Sequence, residues 1–319
     1  MAPMDANDQQ QLDLLEGRFV EGMGFSNRSV GLFRPDATCW AILALETVDS
    51  GCDIIDKARR LLVAVQAPDG RVCVAPQHPE ACWPTPLAAL AWHGAPAYDE
   101  PRTRAVRFLL EFNPLGIVDG PQVGESHDVT IPGWPWTVGT HPWVEPTAYL
   151  LLALRVCGAG AHARARDAVR LLLDRQLAAG GWNVGTTVTF GKQMWPTPEA
   201  TGLALQALAG LVPKATVQRS IDYLRARLPT LNAPMSLGWA ILALHAWQET
   251  LDQPRERIRR VLARQEQGGP YDTFCLSLLR LAWHCRAGLV RFLEEQGTGK
   301  KAAGRMPATQ PSGATGIEP

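Results

Sequence analysis

Charge is scarce on this chain. Only 19% of its 319 residues are Asp, Glu, Lys or Arg, below the usual quarter. The 31 basic residues balance the 31 acidic ones, so the sequence carries no electrostatic footprint for nucleic acid. Long hydrophobic runs are missing too. The longest, Ala148 to Leu154, falls far short of the roughly 20 residues a membrane span needs. The start, Met1 to Gln11, is polar and acidic and holds no apolar signal core. A cytoplasmic protein is expected, with its seven scattered cysteines reduced. Peripheral membrane contact stays open. Strand-like alternation is lacking except at 184–190, where a short hairpin arm is expected.

What is plentiful is tryptophan, eleven in all, and a recurring apolar phrase. It reads Trp40-Ala-Ile-Leu-Ala-Leu45, Leu87-Ala-Ala-Leu-Ala-Trp92, Tyr149-Leu-Leu-Leu-Ala-Leu154, Gly202-Leu-Ala-Leu-Gln-Ala-Leu208, Trp239-Ala-Ile-Leu-Ala-Leu244 and Leu278-Leu-Arg-Leu-Ala-Trp283. Leu45, Leu90, Leu154, Leu208, Leu244 and Leu281 stand 45, 64, 54, 36 and 37 residues apart. Each interval holds two helices, the mark of a repeat architecture. The phrases are apolar all round and so predict buried helices. Amphipathic segments lie between them, at 53–66, 101–112, 162–177, 216–228, 254–265 and 286–296. Six buried and six half-buried helices pack economically as two concentric rings. The expected fold is all-α, an (α/α)6 toroid of six helical hairpins. Its expected limits are 36–296, after a lead-in segment 1–35 and before a disordered tail 297–319 rich in Gly, Pro, Ala and Thr.

Thr85-Pro86 and Thr197-Pro198 each pair a capping hydroxyl with a first-turn proline. The surplus residues of the uneven repeats, 113–144 and 179–196, precede inner-helix starts. All such connections lie on one end of a toroid, so that end is the expected functional mouth.

A second phrase closes the outer helices. Gln176-Leu-Ala-Ala-Gly180-Gly181-Trp182 reads Q-x-x-x-G-x-W, Gln66 to Gly70 repeats it with Val72 in the aromatic place, and Gln265 to Tyr271 repeats it with tyrosine. Glycine permits the left-handed residue that ends a helix. Gln satisfies helix-end backbone groups, and the aromatic staples neighbouring hairpins. With these phrases the chain resembles the terpenoid cyclase and protein prenyltransferase superfamily, built on α/α toroids. Squalene-hopene and oxidosqualene cyclases in it carry this same repeat, and the chain is similar to them over roughly 36–296. The resemblance implies an isoprenoid or other apolar chain held in an aromatic central cavity, and an isomerase or lyase activity. The family's functional strings do not carry over. There is no D-x-D-D acid, no D-D-x-x-D metal site, and Asp272-Thr-Phe-Cys275 is spaced differently from a D-x-C zinc pair. No metal and no cofactor is expected.

Candidate acids are those near the expected mouth, where inner-helix N-termini favour carboxylates. They are Asp128, Glu145, Glu199 and Asp272, with Asp119 and Glu125 also in the long loop. Asp128, beside His127, is the leading candidate for proton transfer. The competing role for Glu145, Glu199 and Asp272 is to complement the helix dipole in a first turn. Candidate substrate-binding aromatics are Trp134, Trp136, Trp143, Trp195, Trp239 and Tyr271, which suit a carbocation or an apolar chain. Two other functions remain open: a non-catalytic toroid that binds a protein partner, and a carbohydrate-active toroid using two mouth carboxylates and Trp platforms.

Overall fold

The apolar phrases become the inner wall of a closed ring. The computed structural model describes residues 6–28, 31–48, 53–113 and 127–303. In chain order the elements are α1 (Ala6–Glu16), β1 (Phe19–Val20), β2 (Gly24–Phe25), α2 (Pro35–Leu45), α3 (Asp53–Ala64), α4 (Thr85–Ala91), α5 (Asp99–Glu111), α6 (Val144–Val156) and α7 (Ala163–Asp174). Then follow β3 (Val188–Thr189), β4 (Lys192–Gln193), α8 (Pro198–Leu208), α9 (Lys214–Arg227), α10 (Pro234–Ala246), α11 (Pro254–Ala263), α12 (Gln265–Gly268), α13 (Thr273–His284) and α14 (Leu289–Ala303).

The six inner helices neighbour one another in the order α2, α4, α6, α8, α10, α13 and back to α2. Helices α3, α5, α7, α9 and α11 each back their own inner partner. The chain is thus an (α/α)6 toroid, as the repeat predicts. Every residue from Ala37 to Leu45, from Leu87 to Trp92 and from Leu237 to Leu244 is buried. Such helices have no polar stripe to show to water and are stable only with apolar neighbours on all sides. Close approach needs small residues: a Cβ at Gly202 would lie 2.7 Å from backbone atoms of Trp239 on the next inner helix.

The staples hold by more than the backbone bonds the second phrase predicts: Gln66 reaches carbonyls, whereas Gln176 reaches a serine hydroxyl of the next outer helix and Trp182 bonds its own outer helix. Gln176 Nε2 donates to Ser220 Oγ at 2.8 Å, and Trp182 Nε1 donates to the carbonyl of Leu172. Gln66 Nε2 donates to the carbonyls of Gly70 and Pro101, at 3.0 and 2.9 Å. Inner-helix threonines complete the junctions. Thr85, Thr147 and Thr201 accept the backbone N–H of Val72, Trp134 and Trp182, at 2.9, 2.8 and 2.9 Å. The same geometry recurs between Phe25 and Thr38 at 3.4 Å, so the N-terminal segment meets α2 as the other junctions meet their inner helices.

That recurrence corrects one expectation. Segment 286–296 was predicted to be the sixth outer helix, but α1 takes that place, against α13 and α2. A buried ion pair fixes it there: Arg280 Nη1 donates to Asp8 Oδ1 at 2.7 Å, and His284 Nε2 stands 2.9 Å from the same oxygen. Helix α14 instead lies across α6, α8 and α10 at their C-terminal ends. A Cβ at Gly288, just before it, would meet Ala246 and Gln206. The ring thus has a mouth at its N-terminal end and a floor at the other. Among the described residues no helix is long and apolar enough to cross a membrane.

Candidate functional site in the mouth

The mouth is a bowl of aromatic rings with acids on its rim. Trp40, Tyr149 and Trp239 occupy one level of three inner helices. Trp40 lies 5.9 Å from Tyr149, 5.6 Å from Trp239 and 5.1 Å from Phe274, ring centre to ring centre. Trp83 and Trp136 extend the bowl, 4.9 Å from each other and 6.4 and 6.5 Å from Tyr149. Trp40, Tyr149 and Trp239 are buried, while Trp83, Trp136 and Phe274 are half-buried and give the bowl its open surface.

One turn above Trp40 and Tyr149 stand Asp36 and Glu145. Asp36 is held by Arg34 through two hydrogen bonds, at 2.8 and 3.0 Å. Glu145 is half-buried in the first turn of α6. Burial pushes its carboxyl above the usual range, and the neighbouring charge of Glu199 pushes it the same way. Glu199 in turn accepts a hydrogen bond from the hydroxyl of Ser236. Burial, with Glu145 and Asp36 nearby, holds the phenol of Tyr149 far above its ordinary value. A carboxyl whose pKa is raised keeps its proton nearer neutrality and suits a general acid. Aromatic faces beneath it suit an apolar chain or a developing cation.

The other predicted residues lie elsewhere. Asp128 is exposed and accepts from Thr130 N and Oγ1 at 2.9 and 2.6 Å. These bonds depress its carboxyl, which makes it a poor acid at neutral pH. Its loop is tied to the end of α7, where Arg175, the residue just after the helix, donates from Nη1 to its carbonyl at 3.1 Å. Asp272 caps α13, accepting from the N–H of Cys275 at 2.7 Å. Trp134 is fully buried against Phe108 and Phe112, at 6.2 and 6.3 Å, under the guanidinium of Arg164. Trp143 precedes α6 and meets His141 edge-on at 5.6 Å. Tyr271 staples, its hydroxyl donating to the carbonyl of Val261 at 2.8 Å. Trp195 is 85% exposed on the arm around β3 and β4, whose tip residue Phe190 is wholly exposed. Asp119 and Glu125 lie outside the described residues. Glu145, Glu199, Trp136 and Trp239 are therefore the predicted residues that the fold brings to the bowl.

Sequence reasoning passed over Asp36, Trp40, Trp83, Tyr149 and Phe274. The signal was in the repeat. Trp40, Tyr149 and Trp239 each stand five residues before the last leucine of their phrase, and Asp36, Glu145 and Glu199 each stand nine before it.

No protein-family model matches this chain, and no curated protein matches it in sequence. Solved structures do resemble it. A protein from Actinoplanes is 17% identical, with a TM-score of 0.57 over 90% of this chain and 99% of its own. The type II terpene cyclase MstE from Scytonema, in a variant complexed with geranylgeranyl dihydroxybenzoate, is 16% identical, with a TM-score of 0.57 over 88% of this chain and 97% of its own. An inactive variant of an alpha-1,6-mannanase from Salegentibacter, complexed with alpha-1,6-mannotriose, is 12% identical, with a TM-score of 0.55 over 88% and 97%. At these identities the shared property is the toroid fold.

Proposed function

We infer that this protein binds an isoprenoid or similar apolar chain in the mouth of the toroid and protonates it from Glu145, an isomerase or lyase activity without the D-x-D-D acid. The observation that carries the reading is a single juxtaposition. A half-buried carboxyl with a raised pKa sits one helical turn above a bowl of six aromatic side chains. Glu145 is the acid. Glu199, restrained by Ser236, disfavours the charged form of Glu145 and keeps its proton in place. Trp40, Tyr149 and Trp239 stabilise positive charge that develops below. The terpene cyclase among the similar folds, which takes a geranylgeranyl substrate, supports this choice of ligand.

The test is direct. Purified protein is titrated with geranylgeraniol and with squalene, following tryptophan fluorescence, and the mixtures are then searched for cyclised products by mass spectrometry. Trp239→Ala should weaken binding about tenfold or more, as one desolvated cation–π or stacking contact is worth ~1–2 kcal/mol. Glu145→Gln should keep binding and lose turnover. Binding of mannotriose in place of either lipid would replace this reading with the carbohydrate-active one.

A further inference from the structure

The floor of the ring has a chemistry of its own. Between α14 and the C-terminal ends of α6, α8 and α10 lies a cleft of about 730 Å³, within the size range of small-molecule sites. Gln206 of α8 lines it. Gln206 is 1% exposed, and both polar atoms of its amide are buried without a hydrogen-bond partner. An amide left so is destabilising. The same repeat supplies the apolar alternative: Leu43, Leu152, Leu242 and Leu279 stand at this place, two residues before the last leucine, in four of the other five phrases. A polar residue kept where its own repeats carry leucine, at a cost in stability, points to a ligand.

The charges around it are unequal in their freedom. Glu249 is already held by Lys214 and Arg225, at 2.5 and 3.3 Å, and Glu295 by Arg291 at 3.0 Å. Arg155 Nη1 donates to the carbonyl of Ala207 at 2.7 Å. Arg286 is exposed, lines the cleft beside His245, and has no ion-pair partner among the described residues.

We propose that this cleft is a second ligand site, remote from the mouth, for a small molecule that presents an amide-like donor–acceptor edge to Gln206 and an anionic group to Arg286. The Gln206 amide offers one acceptor and two donors in a plane, so the complementary edge is a carboxamide, a lactam or a nucleobase imide. The guanidinium of Arg286 suits a carboxylate or phosphate. This site does not depend on the function inferred for the mouth.

Orotate carries both features, uracil only the edge and acetate only the anion. Calorimetric titration of the full-length protein should show orotate binding at least about tenfold tighter than either partial probe. Gln206→Leu should remove that binding and raise Tm, because a buried unpartnered amide is replaced by the residue of the neighbouring repeats. Arg286→Ala, on an exposed side chain, should leave Tm unchanged and make orotate bind no better than uracil. The proposal is overturned if orotate fails to bind at ~10 mM, a concentration that detects even millimolar affinity. It is equally overturned if Gln206→Leu binds orotate like the parent protein, or if Gln206→Leu lowers Tm.

Discussion

Helix α1 is anchored on the ring through a buried charge cluster, and Asp8→Ala tests it. The guanidinium of Arg280 is fully buried and the carboxylate of Asp8 only 12% exposed. Removing the carboxylate leaves Arg280 with two carbonyl acceptors, Ala44 O at 3.2 Å and Asp8 O at 3.0 Å. His284 loses its partner at 2.9 Å as well. Breaking a buried pair from one side costs ~3–5 kcal/mol. The surviving carbonyl contacts favour the lower end, about 3 kcal/mol, or a fall in Tm of roughly 4–6 °C for a chain of this size. The assay is calorimetric or circular-dichroism melting at pH 7.5, with limited proteolysis of residues 6–28 as a second readout of α1 release. The double variant Asp8→Ala/Arg280→Met, which removes both charges and fills the space, should recover most of the loss. A single-variant loss under about 1 kcal/mol, or a double variant no better than the single, would refute the claim that this pair anchors α1 on the ring.

Two further outcomes follow from the geometry. Gly202→Ala places a methyl 2.7 Å from backbone atoms of Trp239, so α8 and α10 must part. A loss of about 1–3 kcal/mol is expected, whereas Gly268→Ala, which meets nothing within 4 Å, should be neutral in the same melt. The pH dependence has two limbs of opposite sign. Burial lowers His245 and His284 below the ordinary 6.5, so their contribution is full above pH 6.5 and is lost as pH falls through the lowered values. Glu145, raised above 4.5, contributes stability that is full below pH 4.5 and lost as pH climbs through its raised value. The Tm difference between Glu145→Gln and the parent protein should therefore grow between pH 4 and 8. A constant difference would mean that Glu145 is not desolvated.

The fold was legible because its driving force is periodic. Six phrases without a polar face can settle only inside a ring, and the Q-x-x-x-G-x-W staples mark where the outer helices stop. The closing helix escaped this logic. Residues 6–16 are mostly polar, with Leu12 and Leu15 as the buried apolar anchors, and the decisive contact joins Asp8 to Arg280, 272 residues away. Local periodicity holds no trace of such a pair. The candidate site was half legible for a related reason. Trp134 and Trp136 are two residues apart in one loop, yet the backbone N–H of Trp134 is fixed to Thr147 at 2.8 Å. That bond turns Trp134 into the junction and leaves Trp136 to face Tyr149. Loop spacing says nothing of that choice, whereas position within the repeat separates Glu145 and Glu199 from Asp128.

All inner helices run the same way, so their dipoles add: partial positive charge gathers at the mouth and partial negative charge at the floor. The sequence answers at both ends. Asp36, Glu145 and Glu199 stand in first turns at the mouth. At the floor, Arg59, Arg155 and Arg280 donate to the C-terminal carbonyls of Ala91, Ala207 and Ala44, at 2.7, 2.7 and 3.2 Å. A helix N-terminus ordinarily stabilises the charged carboxylate by ~0.3–1 kcal/mol, which would lower Glu145. Its carboxyl is instead raised by burial and by Glu199. Burial and the like charge of Glu199 act on Glu145 in the direction opposite to a helix end.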